Sequence, residues 1–400
     1  MRGQKRSMRA TPPTELTGPG FTKDQAYALE TCARCGFCKP VCPTYPFGGG
    51  FEAFSPRAKV HFLRELRAGR AELTSDWVDR LFRCTTCARC VSVCQTSIPL
   101  VQLWEAIRAE TVERGVGPMP AHQKLSVFAE QTGNPYGEPT EQRVRWMLPE
   151  HQPAEEAELM VFGGCTASLR LPSLLQIGVT LLQRQNIPYT YAGTSERCCA
   201  SVFLRTGQLE MAKRLIAGNI DLIREKGVSQ IVTPCGGCSK TLKYDYPQWA
   251  RQLGKKWEVE VLHFSQVYLR LLESGVVNPI RTLGRTVTYH DPCHLGRAQG
   301  IFDEPRAILQ ALPGVKLVEM EYCREEARCC GGGGGVRANY PEMANQMARD
   351  RVMEAMETGA DTLVTMCPFC QLSFDLVLKE MGYPLALAGL EELLLESIIP

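Results

Sequence analysis

Eighteen of the nineteen cysteines in this 400-residue chain fall into four clusters, and that clustering limits what the chain can fold into. Cys32, Cys35, Cys38 and Cys42 follow C-x2-C-x2-C-x3-C, and Cys84, Cys87, Cys90 and Cys94 repeat the spacing. A third set is Cys165, the vicinal pair Cys198 and Cys199, then Cys235 and Cys238. A fourth is Cys293, the pair Cys329 and Cys330, then Cys367 and Cys370. Cys323 stands apart and reads as an ordinary thiol or one that supports a neighbouring site. A secreted disulfide scaffold is shorter, denser in cysteine and exported. Here Arg2, Lys5, Arg6 and Arg9 are followed by Thr11, Pro12 and Pro13 instead of an apolar signal segment. Residues 1–20 are therefore expected to form a disordered tail on a cytoplasmic protein. Clustered thiols in such a chain point to metal or redox chemistry.

The two four-cysteine runs carry the signature of a bacterial two-cluster ferredoxin. Three closely spaced thiolates wrap one cube, and the fourth, a turn further on, reaches the other. The expected sets are Cys32, Cys35, Cys38 and Cys94 for one cubane [4Fe-4S] cluster, and Cys84, Cys87, Cys90 and Cys42 for its neighbour. Zinc takes four ligands as two separated pairs, not as a compact run. The 41 residues between Cys42 and Cys84 exceed a minimal ferredoxin link. They hold an aromatic, Gly-rich loop (Tyr45, Phe47, Gly48 to Gly50, Phe51) and a helical pattern from Ala58 to Arg67. Residues 21–115 thus read as a helix-rich, twin-cluster ferredoxin-like domain, with a helical connector over 116–155.

The two five-cysteine sets are copies of one unit. Glu210, Met211 and Ala212 recur 132 positions later as Glu342, Met343 and Ala344, and Glu225 and Gly227 recur as Glu357 and Gly359. Ile231-Val232-Thr233 before Cys235 matches Leu363-Val364-Thr365 before Cys367. An offset kept through helix, turn and strand is an internal repeat. Its grammar is α/β, within an α+β chain overall. A strand (Leu159 to Phe162; Thr286 to Tyr289) delivers the first cysteine. An amphipathic helix (Leu209 to Glu225; Glu342 to Glu357) leads to a second strand ending at C-x2-C, where a new helix begins. Strand ends and helix N-termini are where such sheets hold anionic ligands. The copies are placed at 156–280 and 281–400. Asp291 reads as a helix N-cap, and the run Gly331 to Gly335 as backbone passing close to a cluster.

At this point the residues resemble a known family. FGGCTAS, CCASVF and TPCGGC in the first copy, and YHDPCHLGR, CCGGGGG and TMCPFC in the second, look like the CCG cysteine-rich domains of heterodisulfide reductases. Gly133 to Pro139, with Arg143 and Trp146, resembles that family's connector. The whole is similar to the membrane-type heterodisulfide reductase catalytic subunit, and to iron–sulfur subunits of glycolate, lactate and glycerol-3-phosphate oxidases. The resemblance implies a noncubane [4Fe-4S] cluster in each five-cysteine set: Cys165, Cys198, Cys199, Cys235 and Cys238, then Cys293, Cys329, Cys330, Cys367 and Cys370. Ala200 replaces the glycine expected after the first vicinal pair, while Gly331 is present in the second. That departure leaves zinc or an incomplete cluster open in the first copy.

The function this implies is an oxidoreductase subunit active with partner subunits. Electrons pass through the two cubanes to the noncubane clusters, which each take one thiolate as a disulfide parts. Cys293, Cys329, Cys330, Cys367 and Cys370 form the catalytic set. His290 and His294 flank Cys293 and either hydrogen-bond a cluster sulfur or protonate a departing thiolate. The alternative is an electron-transfer subunit of a flavin-dependent 2-hydroxy acid dehydrogenase. Partners are then a flavoprotein, a membrane b-type cytochrome, or both, with the chain held peripherally at the inner membrane face through a partner. Lys plus Arg at 45 against Asp plus Glu at 43 excludes a general nucleic-acid binder. Pro384 to Pro400 is the most apolar stretch, broken by Glu391, Glu392 and Glu396, and reads as a docking helix, not a membrane span. It and the aromatic loop are the candidate docking surfaces.

Overall fold

The computed structural model describes residues 22–399, so the basic tail expected over 1–20 lies outside the described residues. The N-terminal part is helical. Thr22 caps Lys23–Glu30 through a reciprocal bond with Gln25, and Ser55 caps Pro56–Arg67, whose first residue is proline. With Ser75–Phe82 and Leu100–Glu113 these helices enclose Leu29, Leu63, Leu81, Leu103 and Trp104. Helix Pro120–Thr132 then leads to a loop tied by Asn134. The Asn134 side chain donates to the Thr132 and Glu138 carbonyls and accepts from the Tyr136 N–H.

Two parallel sheets follow with one topology. Strands β1 (Leu159–Val161), β2 (Thr190–Tyr191), β3 (Gln230–Thr233) and β4 (Glu260–His263) lie in the order β2-β1-β3-β4. Strands β5 (Arg285–His290), β6 (Val315–Leu317), β7 (Thr362–Thr365) and β8 (Ala386–Gly389) lie in the order β6-β5-β7-β8. The repeated helices run Leu209–Glu225 and Pro341–Glu357, in line with the periodicity. The fold is α/β: a helical, cysteine-bearing part followed by two duplicated units.

The units share one core, holding Val161, Val179, Phe264 and Tyr268 from the first and Val287, Tyr289, Leu309 and Leu393 from the second. Their contacts are reciprocal. Helix Phe264–Glu273 packs on Asp303–Ala311, and Leu390–Ile398 packs on Pro172–Arg184. This corrects the docking-helix reading of Pro384 to Pro400. The segment splits into β8 and a helix whose Leu390, Leu393 and Leu394 are buried against the other unit. Its apolar face is spent on joining the two copies. No helix among the described residues is long and apolar enough to cross a membrane.

The helical part docks on the glycine run of the second unit. A Cβ at Gly333 would lie 2.5 Å from the Thr85 carbonyl oxygen, and one at Gly334 2.3 Å from that of Cys84. Glycine is needed there because backbone meets backbone. Arg108, fully buried, fastens the junction by donating to the Leu81, Cys84, Arg205 and Gly334 carbonyls. Gly254 shares the left-handed backbone of Gly334 but faces open space. Gly254→Ala should cost about 1 kcal/mol from backbone conformation alone. Gly334→Ala should cost a further 1–3 kcal/mol or so from the clash; denaturant unfolding of the two variants side by side measures the difference.

Candidate metal centre

Each four-cysteine run curls because two of its residues take left-handed backbone. Arg34 and Gly36 do so in the first run (φ 58 and 85), Thr86 and Ala88 in the second (φ 55 and 64). Such reversals turn N–H groups inward into an anion-binding hollow. The Thr86 N–H lies 3.4 Å from Cys84 Sγ, and the Ile98 N–H 3.4 Å from Cys94 Sγ. The runs interleave. Cys38 is pushed up to about 11 by burial and by Cys32, Cys35 and Cys94. Cys42 is raised by burial and by Cys84 and Cys87. The first group has Cys35 at the surface; the second has Cys87 and Cys90 buried, beside Lys59 and Trp104. In the aromatic loop, Phe47 packs towards Cys87 and Cys329, while Phe51 is 71% exposed.

The two five-cysteine sets match at the second cysteine of each vicinal pair. Cys199 is held down to about 6 by hydrogen bonds from Cys198 and Cys238. Cys330 is pulled well below the ordinary thiol value in the same way by Cys329 and Cys370. Helix N-termini supply the C-x2-C ends: Cys235 precedes Gly236–Lys240, and Cys367 precedes Pro368–Met381. Ala200 adopts the left-handed conformation (φ 72) with its methyl fully buried, where Gly331 has φ 83. A Cβ at Gly331 would sit 2.4 Å from the Ala344 carbonyl oxygen. The first copy therefore accepts the methyl that the second would reject, and its sulfurs still meet.

The sets also touch each other and the helical part. Cys235 of the first contacts Cys367 of the second, and Cys87 contacts Cys329. Both sets open on one cavity of about 390 Å³, lined by Cys165, Cys199 and Cys238 and by Cys293, Cys330 and Cys367. Tyr136, His294, Arg337 and Phe369 complete its wall. All nineteen cysteines are free, so neither vicinal pair is a disulfide. Converging unpaired sulfurs, inward N–H groups and room between them fit iron–sulfur clusters.

Charged groups support the sulfurs from behind. Arg143, fully buried, donates to Cys165 Sγ at 3.1 Å and pairs with Glu196 at 3.0 Å. Glu196 also accepts the Gly163 and Gly164 N–H groups (2.8 and 2.9 Å), which fixes the turn carrying Cys165. Arg297 donates to the Cys87 carbonyl at 2.8 Å, keeps a buried Nη2 without partner, and acts by its charge on both Cys87 and Cys293. His290 accepts from Arg351 Nε at Nδ1 (3.1 Å), so its neutral ring carries its proton on Nε2, which has no partner. A ring nitrogen lies within 4.8 Å of the Cys330 and Cys370 sulfurs. Burial, with Arg351 beside it, holds His290 down at about 3. His294 is held at about 4 by burial and by Lys240 and Arg205.

One reading is corrected. Asp291 is no N-cap; it chelates Arg306 (2.8 and 2.9 Å) and accepts the Arg324 N–H. Sequence spacing also missed Arg108, Arg297 and Lys59, since their partners lie far away in the chain. Arg143 entered only as part of the connector string; a lone arginine there has no local partner, and that was its one visible signal. Arg143→Met leaves Glu196 buried without its cation and should cost about 3–5 kcal/mol. Adding Glu196→Gln should recover part of that loss in a double-mutant cycle by denaturant unfolding.

Comparison with known proteins agrees with this geometry. Residues 159–243 and 287–375 match the cysteine-rich domain family CCG, and residues 28–98 match the 4Fe-4S dicluster domain. A subunit of the dihydromethanophenazine:CoB--CoM heterodisulfide reductase of Methanosarcina barkeri is 36% identical over 368 residues, 88% of this chain and 89% of that protein. A subunit of the fumarate reductase (CoM/CoB) of Methanothermobacter marburgensis is 31% identical, over 88% of this chain and 69% of its own length. EtfAB:quinone oxidoreductase of Syntrophomonas wolfei is 28% identical, over 86% and 54%. A solved structure of a hypothetical protein from Helicobacter pylori superposes with a TM-score of 0.60 at 10% identity, covering 96% of this chain and 74% of the other, a likeness of fold alone. With this identity over most of its length, and family matches on all four cysteine sets, the chain belongs to the CCG-type iron–sulfur oxidoreductase subunits related to those of heterodisulfide reductase.

Proposed function

We propose that this chain reduces a disulfide in the cavity between its two five-cysteine sets, drawing electrons through two cubane clusters. Cys32, Cys35, Cys38 and Cys94 would hold the outer cubane, and Cys84, Cys87, Cys90 and Cys42 the inner one. Cys165, Cys198, Cys199, Cys235 and Cys238, and Cys293, Cys329, Cys330, Cys367 and Cys370, would hold one noncubane cluster each. Bound there, the paired clusters supply one electron each at neighbouring points. The observation that carries the reading is the contact of Cys235 with Cys367 on a single shared cavity. Cleaving R–S–S–R′ takes two electrons and two protons and yields two thiols. Two adjacent one-electron centres suit a bond whose two sulfurs must both be reduced.

The chain's own groups have separate tasks in this reading. Mostly apolar walls, including Leu125, Leu372 and Phe369, exclude water from the breaking bond. His290, with Nδ1 occupied by Arg351, offers its Nε2–H to the sulfurs of Cys330 and Cys370. His294, neutral at rest, lines the cavity beside Cys293, where the developing charge of a departing sulfur raises its proton affinity so that it takes a proton from water and passes it on. The relatives named for CoB--CoM heterodisulfide and CoM/CoB chemistry favour thiol substrates of that kind.

A second reading has the chain pass electrons from a flavoprotein towards a quinone without disulfide chemistry. The likeness to EtfAB:quinone oxidoreductase favours it. In either case the electron source or sink is a partner, a flavoprotein or a membrane b-type cytochrome.

Four clusters require about 16 irons in the anaerobically isolated chain, four per cluster. A zinc-bearing first set would give about 12 irons and one zinc. Cys330→Ala should remove about four irons and leave the cubane signals in place. Titrating the oxidised protein with the thiols of the CoM and CoB class should create a new paramagnetic signal that Cys330→Ala abolishes. A spectrum indifferent to every thiol and disulfide, in a chain still reduced by a flavoprotein, would transfer the case to the second reading.

A further inference from the structure

Four cations stand at the inner four-cysteine set, and among the described residues none has a bound carboxylate: Lys59, Arg108, Arg89 and Arg297. Lys59 is 3% exposed and lines the small cavity formed by Cys42, Cys84, Cys87 and Cys90. Its ammonium makes no hydrogen bond or ion pair among the described residues, and the sulfurs of Cys84, Cys42 and Cys90 are the negative charges acting on it. Arg108 is fully buried, and all its donors go to main-chain carbonyls, one of them that of Cys84. Cys84 is also the foremost negative charge felt by its guanidinium.

The outer set is provided for differently. Two cations beside it, Lys39 and Arg57, are 35% and 37% exposed and both pair with Glu52, at 2.7 and 2.8 Å, and Arg34 within the run is exposed to water. Their charge is largely cancelled and screened by water. A fixed, unpaired cation in low dielectric acts much more strongly on a neighbouring charge than a screened one does. A cluster's reduction potential follows the charge, hydrogen bonding and exposure around it. Adding an electron beside Lys59 and Arg108 is therefore favoured over adding it beside Glu52.

We propose that Lys59, backed by Arg108, is a positioning residue of electrostatic kind: it raises the potential of the inner cubane above the outer one, so the inner site collects electrons arriving at the exposed Cys35 rim. The inference rests on the reading that each four-cysteine set holds a [4Fe-4S] cluster. Collected there, an electron stands next to the second five-cysteine set, since Cys87 touches Cys329.

The test is an EPR-monitored redox titration of the full, anaerobically isolated chain. The wild type should show two one-electron cubane steps. Lys59→Met should keep the iron and lower the reduced-to-oxidised ratio of the higher step at least tenfold at fixed potential, a shift of about 59 mV for one electron. The lower step should stay in place. Lys59→Arg should keep both wild-type midpoints, and Arg57→Met should move neither step by that much. If Lys59→Met instead loses about four irons while Lys59→Arg retains them, the missing charge is responsible and the proposal stands. Loss of iron in both variants, or a fully loaded Lys59→Met with an unmoved higher step, overturns it and leaves the clusters themselves in place. A wild-type chain without iron overturns the cluster reading instead.

Discussion

Negative charge on buried sulfur is what this fold has to manage. A thiolate taken out of water is stable only beside a cation, a hydrogen-bond donor or a metal. The chain meets that demand from across its own junctions. Arg143 comes from the connector to Cys165, and Arg297 from the second unit to the space between Cys87 and Cys293. Lys59 and Arg108 stand at Cys84 from two helices of the N-terminal part. Arg108 and Arg297 also donate to carbonyls on the other side of a junction, so the groups that neutralise sulfur hold the parts together. Charge and assembly are one problem here, solved by the same side chains.

Duplication explains why the sulfurs end up face to face. Two sheets of identical strand order place their C-x2-C turns at equivalent rims, and reciprocal helix packing brings those rims together. Cys235 against Cys367 is the contact that results. The symmetry stops at the helical part. That part lies on the Gly331 to Gly335 run, which the first unit lacks, so Cys87 meets Cys329 and has no such contact with the first set. The first unit touches the helical part too, through the Arg205–Glu105 pair and Gly207 against the Arg108 backbone, but the sulfur contact is made to the second unit. A methyl at Gly331 is forbidden by the Ala344 carbonyl of the second unit's own helix, while the first unit accommodates Ala200 in the same left-handed turn.

Local patterns were legible in the sequence because their causes are local. The helix Leu209–Glu225 and the strand ends before Cys235 and Cys367 follow periodicity and a repeated offset. The interleaving of the two four-cysteine runs follows from their spacing. The misread positions are those whose partners are distant. Asp291 has the residue type of a cap, yet Arg306 and the Arg324 N–H claim it. Leu390, Leu393 and Leu394 form an apolar stripe that a sequence cannot assign to an internal or an external partner; the other copy takes it. Lys59 sits in a helix whose charges otherwise face water, and only the tertiary packing turns it inward.

The choice of compensating groups bears on how such a site works. The imidazoles nearest the second set are kept neutral, His290 at about 3 and His294 at about 4, by burial first and then by neighbouring cations. Arginine does not release its proton in a protein. The arginine counter-charges beside Cys165 and Cys293 are therefore fixed across the ordinary pH range. In the disulfide-reducing reading, rings already neutral have no acidic proton to give, so they can only relay one that enters from water. A wire of one-electron centres needs that constancy. In the proposed reading, each electron would meet the same arginine field on arrival.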